Sequence, residues 1–417
     1  MASILLMPVG SHGDVHPFVG LGRALQARGH EVTLITSAYF EPLAKKAGLP
    51  FVGVGTPEDF QAAMDHPDLW HPTRAFRAVA EVGPLRWMRH GYQLVADRHV
   101  PGRTVVVSSL LGFGPRIAHE KLGVPLVTVH LQPSALYSKH APPELAPTAD
   151  RPWVPRWAKR LLFWVGFRYV IDPVVAGPTN AFRGELGLPP VRHFLNKWVH
   201  SPQRVVGLFP PWYGPPQPDW PANVTLTSFP LFDEAGLEEL PADVERFLAE
   251  GTPPIVFTPG TANKQGHAFF AAAAEACASL GRRGLLLTRF PEQLPSPLPA
   301  GVRHFAYIPF SQVFPRAAAV VHHGGVGTTA QALAAGVPQL IMPLAHDQPD
   351  NAARVRRLGV GTSLPPQAFR GPAVAKALAG LTGSPAVAQR CREVADKLRG
   401  ADPFGEACRA IEALVGG

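Results

Sequence analysis

Residues 320 to 351 read VVHHGGVGTTAQALAAGVPQLIMPLAHDQPDN, and their residue types suit an anionic ligand. Val320 and Val321 close an apolar run, Gly324, Gly325 and Gly327 make a turn, and Thr328 and Thr329 open a helical segment ending at Gly336. Glycines let the backbone approach an anion closely, and a helix start offers unpaired N–H groups at the positive end of the helix dipole. A phosphate or diphosphate fits such a turn. The spacing is neither that of a P-loop nor GxGxxG, so ATP and nicotinamide lose support as ligands. Asp347 and Gln348 follow at the end of the run PQLIMPL. A carboxylate beside an amide can accept from and donate to neighbouring hydroxyls, as a sugar ring requires.

A second cluster lies at residues 8–18, PVGSHGDVHPF, again a glycine turn after an apolar run, carrying His12, Asp14 and His16. Three metal ligands on so tight a turn rarely converge, and no metal is expected here. A general base that takes a proton from a hydroxyl is the better-suited role. The bland role is that of turn residues satisfied by backbone groups.

The elements that position these loops follow from periodicity. Segment 3–9 is an apolar run, 17–27 carries helical spacing through Phe18, Leu21 and Leu25, and EVTLITS is β-branched and alternating. The cycle recurs with TVVVSS, a helix through Ile117 to Leu122, and VPLVTVHL, and again after residue 250 with PIVFTPG, FFAAAAEACASLG, RGLLLTRF and AAVVHHGG. Strands alternating with helices predict doubly wound parallel sheets with ligand loops at the strand carboxyl ends. Two such domains in series are expected to face each other across a cleft. Residues 210–230 hold seven prolines and read as the link between halves. The expected domains are 1–222, a linker 223–242, a second domain 243–395, and a tail 396–417 whose helix returns to the first.

Composition narrows the classes further. A chain of 417 residues with 46% hydrophobic and 17% charged residues is globular and too long for one core. Three cysteines without ligand spacing fit a reducing, cytoplasmic setting. The run MASILLMPVG lacks a basic leader and reads as a first strand. The longest aromatic-apolar run, LLFWVGF, is shorter than the ~20 residues of a membrane span. A net charge of +8 favours anionic ligands or surfaces, but its dispersal argues against nucleic acid.

His323-Gly324-Gly325, Thr328, Gly336-Val337-Pro338, Pro343, Asp347-Gln348 and Asn351-Ala352 together resemble the signature of family 1 glycosyltransferases, nucleotide-sugar enzymes of the GT-B fold. By that resemblance His323 and Thr328 contact the donor diphosphate with the glycines around them, Gly260-Thr261 form a second diphosphate turn, Tyr307 stacks on the base, and Asp347 and Gln348 hold the sugar. No cofactor or metal is implied, only the nucleotide sugar as co-substrate. Many UDP-sugar members carry glutamate at the place of Gln331, where it binds both ribose hydroxyls. An amide binds a hydroxyl less strongly than a carboxylate does, which favours a dTDP-sugar. GDVxP loops occur in bacterial antibiotic and sterol members with the aspartate as base, which makes Asp14 the first candidate and His12 the second. Ser108 or Ser109 stands where plant-type members have the aspartate partner of their catalytic histidine. A bare aspartate near ~3.9 is a weak base, so partial burial or near-concerted transfer is required.

Within that family, DLWHP, IAHEKLGVP, HSPQRVVGLFPPWYGPPQPDWP, FPLFD and AHDQPDNA resemble the rhamnosyltransferases of bacterial rhamnolipid synthesis. The resemblance implies inverting transfer of L-rhamnose from dTDP-rhamnose to a hydroxyacyl lipid; a phenolic acceptor, more acidic than an alkyl alcohol, would ask less of an aspartate base. UDP-glucose-dependent transfer to sterol-like, polyphenol or antibiotic acceptors is the alternative, and a noncatalytic partner protein of the same fold the third. His16, Leu110, Gln132, Ser134 and Tyr137 are the expected acceptor-lining residues. Residues 131–145 and the following WVPRWAKRLLFWVGFRYV are aromatic, apolar and basic, and could rest on lipid headgroups at the inner face of the membrane.

Overall fold

The apolar runs build two separate parallel sheets in the computed structural model, which describes residues 1–71, 73–144, 154–236, 240–260, 263–264 and 266–415. One compact unit comprises residues 1–230 and 402–417, the other residues 231–401.

In the first unit the strands are β1 (Ser3–Met7), β2 (Glu31–Ser37), β3 (Phe51–Val54), β4 (Thr104–Ser109), β5 (Leu126–His130), β6 (Arg204–Gly207) and β7 (Val224–Leu226). Their order is β3-β2-β1-β4-β5-β6-β7, every pair parallel. β4 and β5 are buried almost throughout, as expected of strands covered on both faces. The order reverses between β1 and β4, where Met7 stands beside Ser108. That switch point is where open sheets leave a crevice for ligands.

The second unit repeats the plan with β8 (Ile255–Thr258), β9 (Gly284–Leu287), β10 (Val302–Phe305), β11 (Ala319–His322), β12 (Gln339–Ile341) and β13 (Gly361–Ser363), in the order β10-β9-β8-β11-β12-β13. The switch point lies between β8 and β11, with Thr258 beside His322. The helices His267–Leu280 and Gly371–Thr382 close one face, where Phe269 stacks on Phe369 at 5.1 Å. Each such ring buried from water contributes about 1.5–3 kcal/mol.

Three features depart from the sequence reading. Residues 12–16 are not a loop: the helix His12–Ala27 starts there, with Pro17 inside it, because Asp14 reaches back to Ser11 and closes the first turn. Within the proline-rich stretch 210–230, the proline-free run NVTLTS supplies β7, which pairs with β6. The apolar run LLFWVGF belongs to a helix, Trp157–Glu185, that has the length and composition of a membrane span, because its weaker apolar continuation past Arg168 keeps helical geometry through a π-helical turn at Phe167–Ile171. Helix Pro403–Glu412 joins the first unit, where Glu412 receives Arg28 Nε and Nη2, each at 2.6 Å.

Candidate functional site

In the second unit, the turn after β11 and the loop after β8 meet around one ring. A Cβ on Gly260 would come within 2.7 Å of His323 Cε1, and one on Gly325 within 2.6 Å of His323 Nε2. Only glycine at both places leaves the imidazole its slot. Gly260 has φ +94° and Gly324 φ +96°, a region open to glycine and strained for other residues. His323 Nδ1 is buried and has no hydrogen-bond partner among the described residues. Burial pushes the imidazole down to about 3, so it is neutral and carries one N–H. A neutral ring with an orphan nitrogen beside a glycine turn suits a polar ligand atom.

The helix Val326–Ala335 begins here, with Gly325 as its cap residue and Thr328 and Gln331 buried on it. Thr329 Oγ donates to the Gly325 carbonyl at 3.0 Å, so Thr328 is the first-turn hydroxyl not taken by that bond. Gly327, in the same turn, is exposed, with open space around it. Thr261 lies outside the described residues.

Asp347 and Gln348 begin the next helix. Gln348 Oε1 accepts from the Leu344 and Ala345 N–H groups at 2.7 and 3.2 Å, so the side chain shapes the loop before it. Burial raises the Asp347 carboxyl to about 6, while Asn351 Nδ2, at 2.7 Å, and the Val326 N–H draw it back. A buried carboxylate held beside a helix start carries charge that a ligand can relieve or use.

The sequence reading gave two supporting residues no role of their own, although Asn351 stands in the signature. His322 is fully buried, accepts from the Gly324 N–H through Nδ1 at 3.1 Å, and pairs through Nε2 with Gln339 Oε1 at 3.0 Å. Asn351 Nδ2 donates to the Gly324 carbonyl at 2.8 Å as well as to Asp347. Gly324 is therefore fixed on both sides, and Asn351 ties its turn to the Asp347 carboxylate. Polar His322 and Gln339 within otherwise apolar strands were the available signal, as was the i,i+4 spacing of Asp347 and Asn351.

Tyr307 is half-buried; its hydroxyl donates to the Asp233 carbonyl at 2.8 Å and the Arg289 guanidinium lies 5.1 Å over its ring. The ring is thus held at one edge and covered by a cation, in the loop after β10.

In the first unit, Asp14 Oδ2 accepts from the Ser11 N–H at 2.8 Å and the Ser11 hydroxyl at 3.3 Å. Gly10 has φ +140°, and a Cβ there would collide with the Asp14 carboxylate. The pattern S-x-x-D before a helix was the sequence signal for this arrangement. His12 is nearly buried in a ring cluster, 5.0 Å from Phe40, 5.5 Å from Tyr39 and 5.7 Å from His16. Ser109 Oγ accepts from the Val9 N–H at 3.1 Å and Ser108 Oγ bonds the Ser109 carbonyl, so both serines serve the loops around the β1/β4 switch point. Leu110, Gln132 and Ser134 are half-buried in the loops after β4 and β5. Tyr137 packs against Phe163 and Phe167 at 5.1 and 5.2 Å, which joins the expected acceptor segment to the helix beyond it.

Residues 4–138 match the glycosyltransferase family 28 N-terminal domain, and residues 288–414 the erythromycin biosynthesis protein CIII-like C-terminal domain. The O-mycaminosyltylonolide 6-deoxyallosyltransferase of Streptomyces fradiae is 32% identical over 98% of this chain and 96% of its own length. Among solved structures, the glycosyltransferase of kitacinnamycin superposes with a TM-score of 0.73 at 22% identity, covering 99% of this chain and 98% of its own. The spinosyn rhamnosyltransferase SpnG complexed with thymidine diphosphate superposes with 0.70 at 19% identity, covering 99% and 100%. Both share the fold of this chain.

Proposed function

This chain belongs to the nucleotide-sugar-dependent glycosyltransferases of the GT-B type, and we propose that it moves a 6-deoxyhexose, L-rhamnose first among the candidates, from a dTDP-sugar to a hydroxyl of an apolar, antibiotic-type acceptor. The observation that carries the donor reading is the slot around His323, with its glycine walls and unpartnered Nδ1 at the start of the helix Val326–Ala335. A diphosphate accepts from a neutral imidazole N–H and from first-turn N–H groups, which stabilises it as the leaving group without a bound cation. Thr328 and the Gly260 loop add contacts to the same group, Tyr307 stacks on the base, and Asp347 with Gln348 selects the sugar. Gln331 in place of a carboxylate reduces the demand for a ribose 2′-OH, and the 6-deoxyallosyltransferase named above is consistent with a deoxysugar.

In the first unit Asp14 takes the proton of the acceptor hydroxyl. The acceptor oxygen forms its bond to the anomeric carbon as the bond from that carbon to the diphosphate breaks; dTDP leaves and the anomeric centre inverts. The acceptor is an apolar aglycone, lined by His16, Leu110, Gln132, Ser134 and Tyr137, with hydroxyacyl lipids and phenolics as further members of that class.

The test is calorimetry or thermal shift with dTDP and UDP, then with dTDP-rhamnose and UDP-glucose. The expected result is that dTDP binds at least about fivefold more tightly than UDP, the worth of one poorly replaced hydrogen bond. A preference for UDP-glucose sinks the donor assignment and leaves family membership standing. Turnover abolished by a chelator and restored by one divalent ion refutes the metal-free route.

A further inference from the structure

The helix Trp157–Glu185 has two unlike halves. Its second half is anchored: Asp172, Val175, Thr179, Phe182 and Arg183 are buried, Asp172 takes the His193 and Phe194 N–H groups, and Arg183 bonds Glu120 and the Pro189 carbonyl. A helix holding a buried arginine and aspartate in the fold has no such half to place in hydrocarbon.

Its first half is built the other way. Trp157 is 67% exposed, Trp164 54% and Tyr169 62%, with Leu161, Leu162 and Val165 exposed between them. Outside this helix the only large apolar side chains so exposed among the described residues are Met1 and Val100. At 3.6 residues per turn, residues 157, 161, 164 and 165 form one stripe with Leu162 on its flank, while Phe163 and Phe167 point away from it and meet Tyr137. The stripe is therefore a second apolar face, left over after the helix has packed on its own unit.

The charge around it has one sign. Lys159, Arg160 and Arg168 fall in this half, and no acidic residue occurs between Trp157 and Ile171. Arg160 and Arg168 are exposed. Asp68 and Glu81, which share a pocket with Tyr169 and Val170, are each held by an arginine, Arg74 at 2.7 Å and Arg77 at 3.7 Å. Tryptophan and tyrosine among leucines, bordered by arginine and lysine, are the side chains that sit at the boundary of headgroups and acyl chains.

We propose that the outer face of residues 157–170 docks this protein on an anionic lipid surface, the helix lying in the interface and the tryptophans entering it. Docking there sets the Tyr137 segment beside the lipid, which suits an acceptor that partitions into membranes. The inference about the surface stands whether or not that acceptor reading holds.

The test is flotation of the full chain with vesicles of phosphatidylcholine alone and with about 30% phosphatidylglycerol added. The wild type is expected to float with the anionic vesicles and to be released by salt. Trp157→Ser/Trp164→Ser is expected to lower the bound fraction at least ~10-fold, and Lys159→Gln/Arg168→Gln roughly fivefold per cation. Neither pair is in the core, so melting temperature, read alongside, should be unchanged. No flotation of the wild type, or equal flotation of the tryptophan variant, overturns the proposal. A wild-type dimer that becomes monomeric in the tryptophan variant without vesicle binding assigns the face to a second copy and overturns it as well.

Discussion

Asp14→Asn separates two roles that the geometry gives one carboxylate. Oδ2 of Asp14 caps the first turn through the Ser11 N–H at 2.8 Å and the Ser11 hydroxyl at 3.3 Å. Asparagine keeps an oxygen acceptor in that place and removes the charge. The stability lost is the carboxylate's attraction to the helix start, about 0.3–1 kcal/mol, and the difference between a charged and a neutral hydrogen bond, of the order of 1 kcal/mol. The sum, ~1–2 kcal/mol, corresponds to a few degrees of melting temperature. Removing a general base costs ~10²–10⁴ in rate, or roughly 2.7–5.4 kcal/mol of barrier. Asp14→Ala removes the cap as well and should lose about 0.5–2 kcal/mol more stability, yet it should be no slower than the asparagine variant if proton removal is what both have lost. The assay is release of dTDP from the preferred donor with a panel of macrolide and phenolic acceptors, read beside donor affinity and melting. Turnover of Asp14→Asn within about threefold of wild type, with a rate loss in Asp14→Ala that only tracks its melting, would refute the base assignment and leave Asp14 a capping residue. His12 would be tested next.

Asp347 and Glu412 predict opposite pH responses. The Asp347 carboxyl is raised by burial to about 6, so the folded protein keeps a proton that the unfolded chain has released, and stability falls as pH rises from about 4 to about 6. Asp347→Asn removes this slope: at pH 7 the empty variant should melt higher, by about 1–3 kcal/mol, at pH 4 nearly with wild type, and sugar affinity should drop more than dTDP affinity. Unchanged melting at pH 7 refutes the buried-charge argument. Glu412 is lowered to about 2, chiefly by its hydrogen bonds from Arg28, so its contribution is present above about 4.5 and is lost as pH falls towards 2. Because both partners are partly exposed, Glu412→Gln should cost only about 0.5–1 kcal/mol, seen as earlier proteolysis near the helix Pro403–Glu412; equal cleavage rates count against the clamp. Asn351→Ala should weaken binding of the dTDP-sugar more than of dTDP, because it frees both the Gly324 carbonyl and the Asp347 carboxylate, and an equal loss for both ligands contradicts that link.

The strands and the glycine turns were readable because both signals are local. TVVVSS is β4 residue for residue, and Gly123 and Gly336 end their helices in left-handed geometry as their positions suggest. What was not readable depended on side-chain geometry that residue types alone do not give. Ser11 and Asp14 look like loop residues until the reach of one carboxylate turns them into a helix start. His322 looks like a duplicate of His323, yet the strand ends between them and the two rings have different neighbours, one Gln339 on the adjacent strand and the other Gly260 and Gly325. The helix Trp157–Glu185 was underestimated because its apolar run is broken by Arg168 in sequence and not in space.

The chain leaves the first unit after Pro230 and rejoins it at Asp402, so the second unit is an insertion within the first. During synthesis the sheet β8 to β13 can close while the first unit still lacks the helix that covers it with Ala407, Cys408 and Ile411. The order in which the two units mature is then the reverse of their order in the message, and the exposed side of the helix His12–Ala27 must wait for residues encoded hundreds of codons downstream.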